Sequence, residues 1–288
     1  MPAGGGGATV PAGGGGPDTV WGVPFVDVEG VRVHYVDVGT GDPPVVLLHA
    51  FPLHSDMWGA QVACLAAGRR VIVPDLKGFG QSSAPEDVSG YSMARYVEEL
   101  AGFLRALGLE RVVLGGLSMG GYVAFSFLPR HLAMVEALVL ADTRAGRDTP
   151  EVLQRRTDQQ ELVRGGDVAG LVETLLAGLL APATLDGRPQ LVEQVRRIMS
   201  ANPPAGFIGG LEAMKGRPDS LPGLGSIKVP TLVLVGEHDG PSPPDVVRVW
   251  QQRIPGSQLV VIPDAGHLSN MENPGAFNAA VTDFLDRL

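Results

Sequence analysis

Only one cysteine, Cys64, occurs in the 288 residues, so no intrachain disulfide can hold the fold. It sits in the apolar stretch QVACLAAG and reads as a small buried hydrophobe, a usage compatible with a reducing cytoplasm. Basic charge is also scarce: 22 Lys and Arg against 31 Asp and Glu leave a net charge of −9. With no basic run to offset phosphate repulsion, nucleic acid and anionic membrane are disfavoured as partners. No run of 18 apolar residues is present, so no transmembrane helix is expected. The N-terminus lacks the basic start and apolar core of a signal peptide. It instead repeats PAGGGG at 2–7 and 11–16, and residues 1–20 read as a disordered Gly/Pro-rich tail. The expected location is cytoplasmic. Homo-oligomerisation is left open.

Metal and nucleotide motifs are missing as well. His49 and His54, in LLHAFPLHSDMW, belong to no His-Glu-x-x-His or His-x-His-x-Asp-His pattern, so no metal site is expected. There is no Gly-x-x-x-x-Gly-Lys loop, and GFGQSS (78–83) lacks the third glycine of a dinucleotide fingerprint.

What is present is a rhythm. FVDVEGVRVHYVDVG (25–39) alternates with a period of two across Glu29-Gly30, the pattern of an antiparallel hairpin. Six later runs are apolar throughout: VVLL (45–48), VIVPDL (71–76), RVVLGG (111–116), ALVLAD (137–142), TLVLVG (231–236) and QLVVIP (258–263). Such runs suit parallel strands buried on both faces. Helical patterns fill the gaps; in 93–108, Val97, Leu100, Ala101 and Leu104 share one face. The fold class is therefore α/β, a mostly parallel doubly wound sheet led by an antiparallel hairpin. From Arg144 to Leu224 only helical patterns occur, with ten basic and ten acidic residues. A structureless loop of that length would be implausible, so 144–224 reads as a helical cap between core segments 21–143 and 225–288.

The sharpest motif is Gly116-Leu117-Ser118-Met119-Gly120, a Gly-x-Ser-x-Gly between a buried strand and a helical pattern. A serine at such a bend is forced into a strained backbone, and its neighbours must lack side chains. The bend lifts Oγ from the sheet. A serine hydroxyl needs a base to take its proton, and the base needs a carboxylate to orient it. The chain order Ser, acid, His selects Asp239, in the Gly-x-x-Asp loop after 231–236, and His267 after the last strand. Asp142 also follows a strand and stays an alternative acid. His238 precedes the acid and would break the order as base, and His34 and His131 suit packed or solvent-facing roles.

On these residues the chain resembles the α/β-hydrolase superfamily over about 24–288. Four landmarks carry the likeness: the His-x-x-Pro loop (49–52), DLKGFGQS (75–82), the elbow (116–120) and AGH (265–267). Within it the chain is similar to serine esterases, 3-oxoadipate enol-lactonase-like enzymes and cofactor-free haloperoxidases or perhydrolases. Ala50 stands where the family usually has glycine, and Lys77 where arginine is common. Haloalkane dehalogenases and epoxide hydrolases of this fold carry aspartate at the elbow, which Ser118 argues against. The resemblance implies a cofactor-free hydrolase of small to medium esters, with lactone hydrolysis, perhydrolysis or C–C hydrolysis as alternatives on the same triad. A ligand receptor of this fold is the competing class, separated by multiple turnover. The expected oxyanion donors are the N–H groups of Phe51 and Met119. The pocket is expected to be apolar, lined by Phe51, Met119 and Leu268 with Met199, Phe207, Ile208 and Met214 from the cap.

Overall fold

The computed structural model describes residues 24–288, so the expected tail lies outside the described residues. The alternating run forms strands β1 (Phe25–Val28) and β2 (Val31–Val38), paired antiparallel. Glu29 and Gly30 turn the chain at φ 50° and 83°. Two successive left-handed residues twist a two-residue turn in the sense the strands require.

The apolar runs become β3 (Val45–Leu48), β4 (Val71–Pro74), β5 (Val112–Leu117), β6 (Val135–Ala141), β7 (Thr231–Gly236) and β8 (Gln258–Ile262). The eight strands lie in the order β1-β2-β4-β3-β5-β6-β7-β8. β2 pairs antiparallel with β4, and the pairs from β4 through β8 are parallel. β3, β4, β5 and β7 are buried at every position, as expected of strands covered on both faces. β8, at the edge, is only partly covered.

Six helices belong to the core: α1 (Gly59–Leu65), α2 (Met93–Ala106), α3 (Met119–His131), and, after the cap, α9 (Pro244–Gln251), α10 (Ser269–Glu272) and α11 (Pro274–Leu285). The expected face of α2 is buried, and Ser92 caps its start by accepting the Arg95 N–H at 3.2 Å. Burying each of Leu100 and Leu104 contributes about 1.5–3 kcal/mol. Cys64 departs from expectation, because it is exposed. α1 buries Gln61 and Leu65, one turn apart, and Cys64 falls on the flank they leave open.

Between β6 and β7 the described chain is helical, without strands: α4 (Pro150–Arg164), α5 (Val168–Leu179), α6 (Pro182–Gly187), α7 (Pro189–Ser200) and α8 (Pro204–Lys215). Four of the five open on proline, whose fixed φ suits the first turn and whose missing N–H costs nothing there. Gln160 Nε2 on α4 donates to the Ile208 carbonyl on α8 at 2.9 Å, tying the cap helices together. No helix among the described residues is long and apolar enough to cross a membrane.

Candidate active site

Ser118 sits at the join of β5 and α3 with φ 54° and ψ −110°. A non-glycine residue held there costs of order 1–3 kcal/mol, which its surroundings must impose. They do so through three bonds. Ser118 N–H donates to the Ala141 carbonyl at 3.0 Å, and its own carbonyl accepts Thr143 Oγ1 at 2.8 Å and the Tyr122 N–H at 3.1 Å. A methyl group at Gly116 would overlap the Gly120 backbone, and one at Gly120 would overlap the Leu48 carbonyl. The two glycines of the motif are thus what let strand and helix approach.

Two further loops complete a hydrogen-bonded chain. His267 Nδ1 lies 2.8 and 2.9 Å from the two Asp239 oxygens, and its Nε2 lies 2.8 Å from Ser118 Oγ. Asp239 accepts only, so Nδ1 carries the proton and Nε2 presents its lone pair to the serine hydroxyl. Asp239 Oδ1 also accepts the Ser242 N–H at 2.7 Å, which fixes the carboxylate. Asp239 and His267 are almost wholly buried, whereas Ser118 is 8% exposed, so the outward end of the chain is the serine.

Asp142, the alternative acid, is occupied elsewhere. Its Oδ1 accepts the Gly236 N–H at 2.8 Å, and its Oδ2 lies 2.5 Å from Ser269 Oγ. Burial, reinforced by the negative charge of Asp239, pushes its carboxyl well above the usual range. It is therefore a buried strut bonded to Gly236 and Ser269 rather than a partner of His267.

The other histidines have separate tasks. His49 is buried, donates from Nδ1 to the Ala50 carbonyl at 2.9 Å and accepts the Leu76 N–H on Nε2 at 3.0 Å. Burial lowers its pKa to about 4, so it braces the loop as a neutral ring. His34 pairs with buried Asp75 at 2.6 Å. Burial by itself would raise the Asp75 carboxyl, but the bonds from His34 and from the Gln81 and Ser55 N–H groups bring it to about 2. His238 is exposed, with Nε2 4.0 Å from Glu237, and His131 lies 3.4 Å from Glu98. His54 accepts the Asp56 N–H at 3.4 Å.

Ala50 is not among the residues with positive φ, which is why alanine fits there in place of glycine. Neither the Phe51 nor the Met119 N–H donates to a backbone carbonyl among the described residues. Met119 opens α3, where N–H groups have no partner within the helix and the dipole favours negative charge.

Comparison with known proteins identifies the family. A family model described as alpha/beta hydrolase fold matches residues 43–274. The chain belongs to the α/β-hydrolase fold family. A thermophilic esterase from Thermogutta terrifontis, solved with malate bound, is 40% identical with a TM-score of 0.86, covering 92% of this chain and 97% of that one. The enol-lactonase from Burkholderia xenovorans is 30% identical with a TM-score of 0.84, covering 91% and 100%. A putative non-heme chloroperoxidase from Synechocystis is 29% identical, over 88% of this chain and 95% of its own.

In this α/β-hydrolase, Ser118 and His267 open into a cavity of about 570 Å³ beneath the cap. A larger cavity of about 740 Å³, between α2, α3 and residues 216–227, contains none of the predicted site residues. Of the lining expected from sequence, Phe51 and Met214 are in place. Met199, Phe207, Ile208 and Leu268 are not. Phe207 lies behind Phe51, ring edge to face at 5.9 Å, while Met199 and Leu268 are fully buried in the hydrophobic core. Ile208 is half-buried on α8 and packs against the core cluster. The Met119 side chain is likewise fully buried and lines none of the cavity.

The wall is also not apolar as expected. Arg144, Asp148, Arg155, Arg156 and Gln159 contribute to it alongside Tyr122, Val152, Leu175 and Leu179. Sequence reasoning missed these residues, and it missed two buried braces. Glu272 accepts the Gly266 N–H and the Ala181 N–H, each at 2.8 Å, joining the histidine loop to the cap. Asn202 reaches from the cap to the Pro52 carbonyl at 2.8 Å. The signal for the arginine wall was the cluster of arginines at 144–156, hidden by the neutral balance of the interval as a whole.

Proposed function

We propose that this protein hydrolyses carboxylic esters of small to medium acyl groups through an acyl-enzyme on Ser118. The observation that carries the reading is the continuous chain from Asp239 through His267 to Ser118 Oγ, with each link at 2.8–2.9 Å. His267 Nε2 takes the hydroxyl proton as Oγ attacks the ester carbonyl, and then delivers it to the departing alcohol. Asp239 stabilises the imidazolium formed in between. The oxyanion is held by the N–H groups of Phe51 and Met119, where loss of one donor typically costs about 3 kcal/mol. Water, deprotonated by the same nitrogen, attacks the acyl-enzyme and frees the acid and Ser118.

The similarity to an enol-lactonase supports lactones as a second substrate class, since a lactone is an ester whose leaving alcohol stays attached. Perhydrolysis differs only in having peroxide replace water in deacylation. A panel of 4-nitrophenyl esters of graded chain length, run beside lactones and with fluorophosphonate labelling, tests the reading. Labelling at Ser118 with many turnovers per enzyme is the expected result. A single stoichiometric burst would instead indicate a receptor, and absence of labelling would refute the nucleophile.

A further inference from the structure

The cavity over Ser118 carries the charge opposite to the rest of the molecule. Three arginines, Arg144, Arg155 and Arg156, line it against one carboxylate, Asp148, in a chain of net charge −9. Asp148 is already shared. Its Oδ2 accepts Arg156 Nε at 2.6 Å and its Oδ1 accepts Arg217 Nη2 at 2.7 Å. Burial would raise its carboxyl, but the two guanidinium groups hold it below the usual range. It stays anionic and saturated.

Arg144 and Arg155 have no such partner; among the described residues neither forms an ion pair. The Nε of Arg144 is buried with no acceptor in reach. Arg144 as a whole is half-buried and lines the cavity, so its guanidinium stands there without a protein carboxylate to neutralise it, and a ligand carboxylate would supply the missing partner. Arg144 also has a fixed origin. It follows Thr143, whose hydroxyl is bonded to the Ser118 carbonyl, so its backbone is tied to the nucleophile's own turn.

We propose that the cavity selects esters carrying a carboxylate remote from the scissile carbonyl, with Arg144 as the ligand of that carboxylate. Arg155, exposed at the cavity wall, adds attraction, and Arg156 is locked by Asp148 as part of the frame. A planar guanidinium matches a carboxylate through two parallel bonds, which a neutral amide of the same shape cannot reproduce. The volume of about 570 Å³ suits a short dicarboxylic half-ester. The inference rests on the hydrolytic reading of Ser118 for its substrate, but the anion subsite can be tested without turnover.

Two matched pairs place the carboxylate on either side of the bond: monoethyl glutarate against ethyl 4-carbamoylbutanoate, and 4-carboxyphenyl butyrate against 4-carbamoylphenyl butyrate. At low ionic strength the acid should exceed the amide in kcat/KM by tenfold or more in at least one pair. Arg144→Gln should cut that ratio by tenfold or more, and Arg155→Gln, at an exposed position, by two- to threefold. Arg111→Gln removes the same charge from the opposite end of the sheet, at the start of β5, and should leave the ratio alone. Separately, calorimetry of glutarate binding to the Ser118→Ala protein should show Kd weakened at least tenfold by Arg144→Gln and unchanged by Arg111→Gln. Amide substrates turned over as well as acids, with glutarate binding indifferent to Arg144, would overturn the subsite. Arg144-dependent glutarate binding without turnover of any ester would uphold the subsite and overturn the hydrolytic reading instead. Should Arg144→Gln not fold, Arg155→Gln and Arg144→Lys decide by the same two measurements.

Discussion

Asn202, just beyond α7 in the cap, donates to the Pro52 carbonyl at 2.8 Å while its Oδ1 accepts the Gly80 N–H at 2.7 Å. One buried amide thus holds the loop of Phe51 and the loop of Phe79 to the cap. Asn202→Ala leaves both backbone groups unpaired and should cost about 1–3 kcal/mol of stability, read from urea unfolding. Asn202→Asp keeps the acceptor for Gly80 but cannot donate to Pro52. If the Pro52 bond positions the Phe51 N–H, Asn202→Asp should lower kcat while KM changes little. A variant with normal kcat would limit Asn202 to a structural brace.

The two acids beside His267 make opposite predictions. Asp239→Asn removes the carboxylate that holds the imidazole and should lower kcat by roughly 10³–10⁴. Asp142→Asn, which touches Gly236 and Ser269 but not the imidazole, should cost less than tenfold. Ester hydrolysis kinetics on both variants decide the assignment, and Ser118→Ala should abolish turnover with the fold intact.

Asp142 also predicts a stability effect with a definite sign. Its carboxyl is raised in the native state, so the native protein keeps a proton that the unfolded chain releases near pH 4. Its stabilising contribution is complete below that pH and falls as pH rises towards the native value, by about 1.4 kcal/mol per unit. Asp142→Asn should flatten that slope, so its stability relative to wild type should improve as pH rises above about 4 towards the raised native value. Parallel wild-type and variant curves would exclude a buried protonated acid.

His49 predicts the reverse. Its native pKa of about 4 lies below the ordinary value of 6.5, so between these the unfolded chain binds a proton that the native ring does not. The resulting stability is full above pH 6.5 and disappears as pH falls through about 4, amounting to about 3 kcal/mol. Urea midpoints at pH 7 and pH 5 should differ clearly in the wild type, and less in His49→Asn.

Gly120→Ala would drive a methyl group into the Leu48 carbonyl, which belongs to a neighbouring strand and cannot rotate away. Strand and helix must separate, and both thermal stability and Ser118 labelling by a fluorophosphonate should fall. A variant with native labelling would show that the elbow has more room than its packing implies.

The fold was legible because its signals are local. Apolar runs at 45–48 and 231–236 coincide with β3 and β7, and the glycine-flanked Ser118 announces its own bend. Chain order pointed to Asp239 and His267, since each follows a strand at the edge where Ser118 emerges, and the structure brings both side chains to that serine. The cap wall was not. The sequence of α4, PEVLQRRTDQQELVR, is polar almost all round, so no apolar stripe tells which arginines turn inward. Cys64 misled for a related reason, because an apolar neighbourhood in sequence does not say which flank of a two-turn helix meets the core. Glu272 and Asn202 act across 91 and 150 positions of chain, a separation at which no spacing rule applies.

The histidine loop hangs from the cap as much as from the sheet. His267 N–H donates to the Leu179 carbonyl at the end of α5 at 2.8 Å, and Glu272 clasps Gly266 on one side and Ala181 on the other. A cap that moved at this joint would carry His267 with it and part the 2.8 Å contact to Ser118. The helices over the serine therefore form a roof whose beam is the support of His267 itself. Opening the cap and keeping His267 in contact with Ser118 are therefore opposed demands on the same few hydrogen bonds.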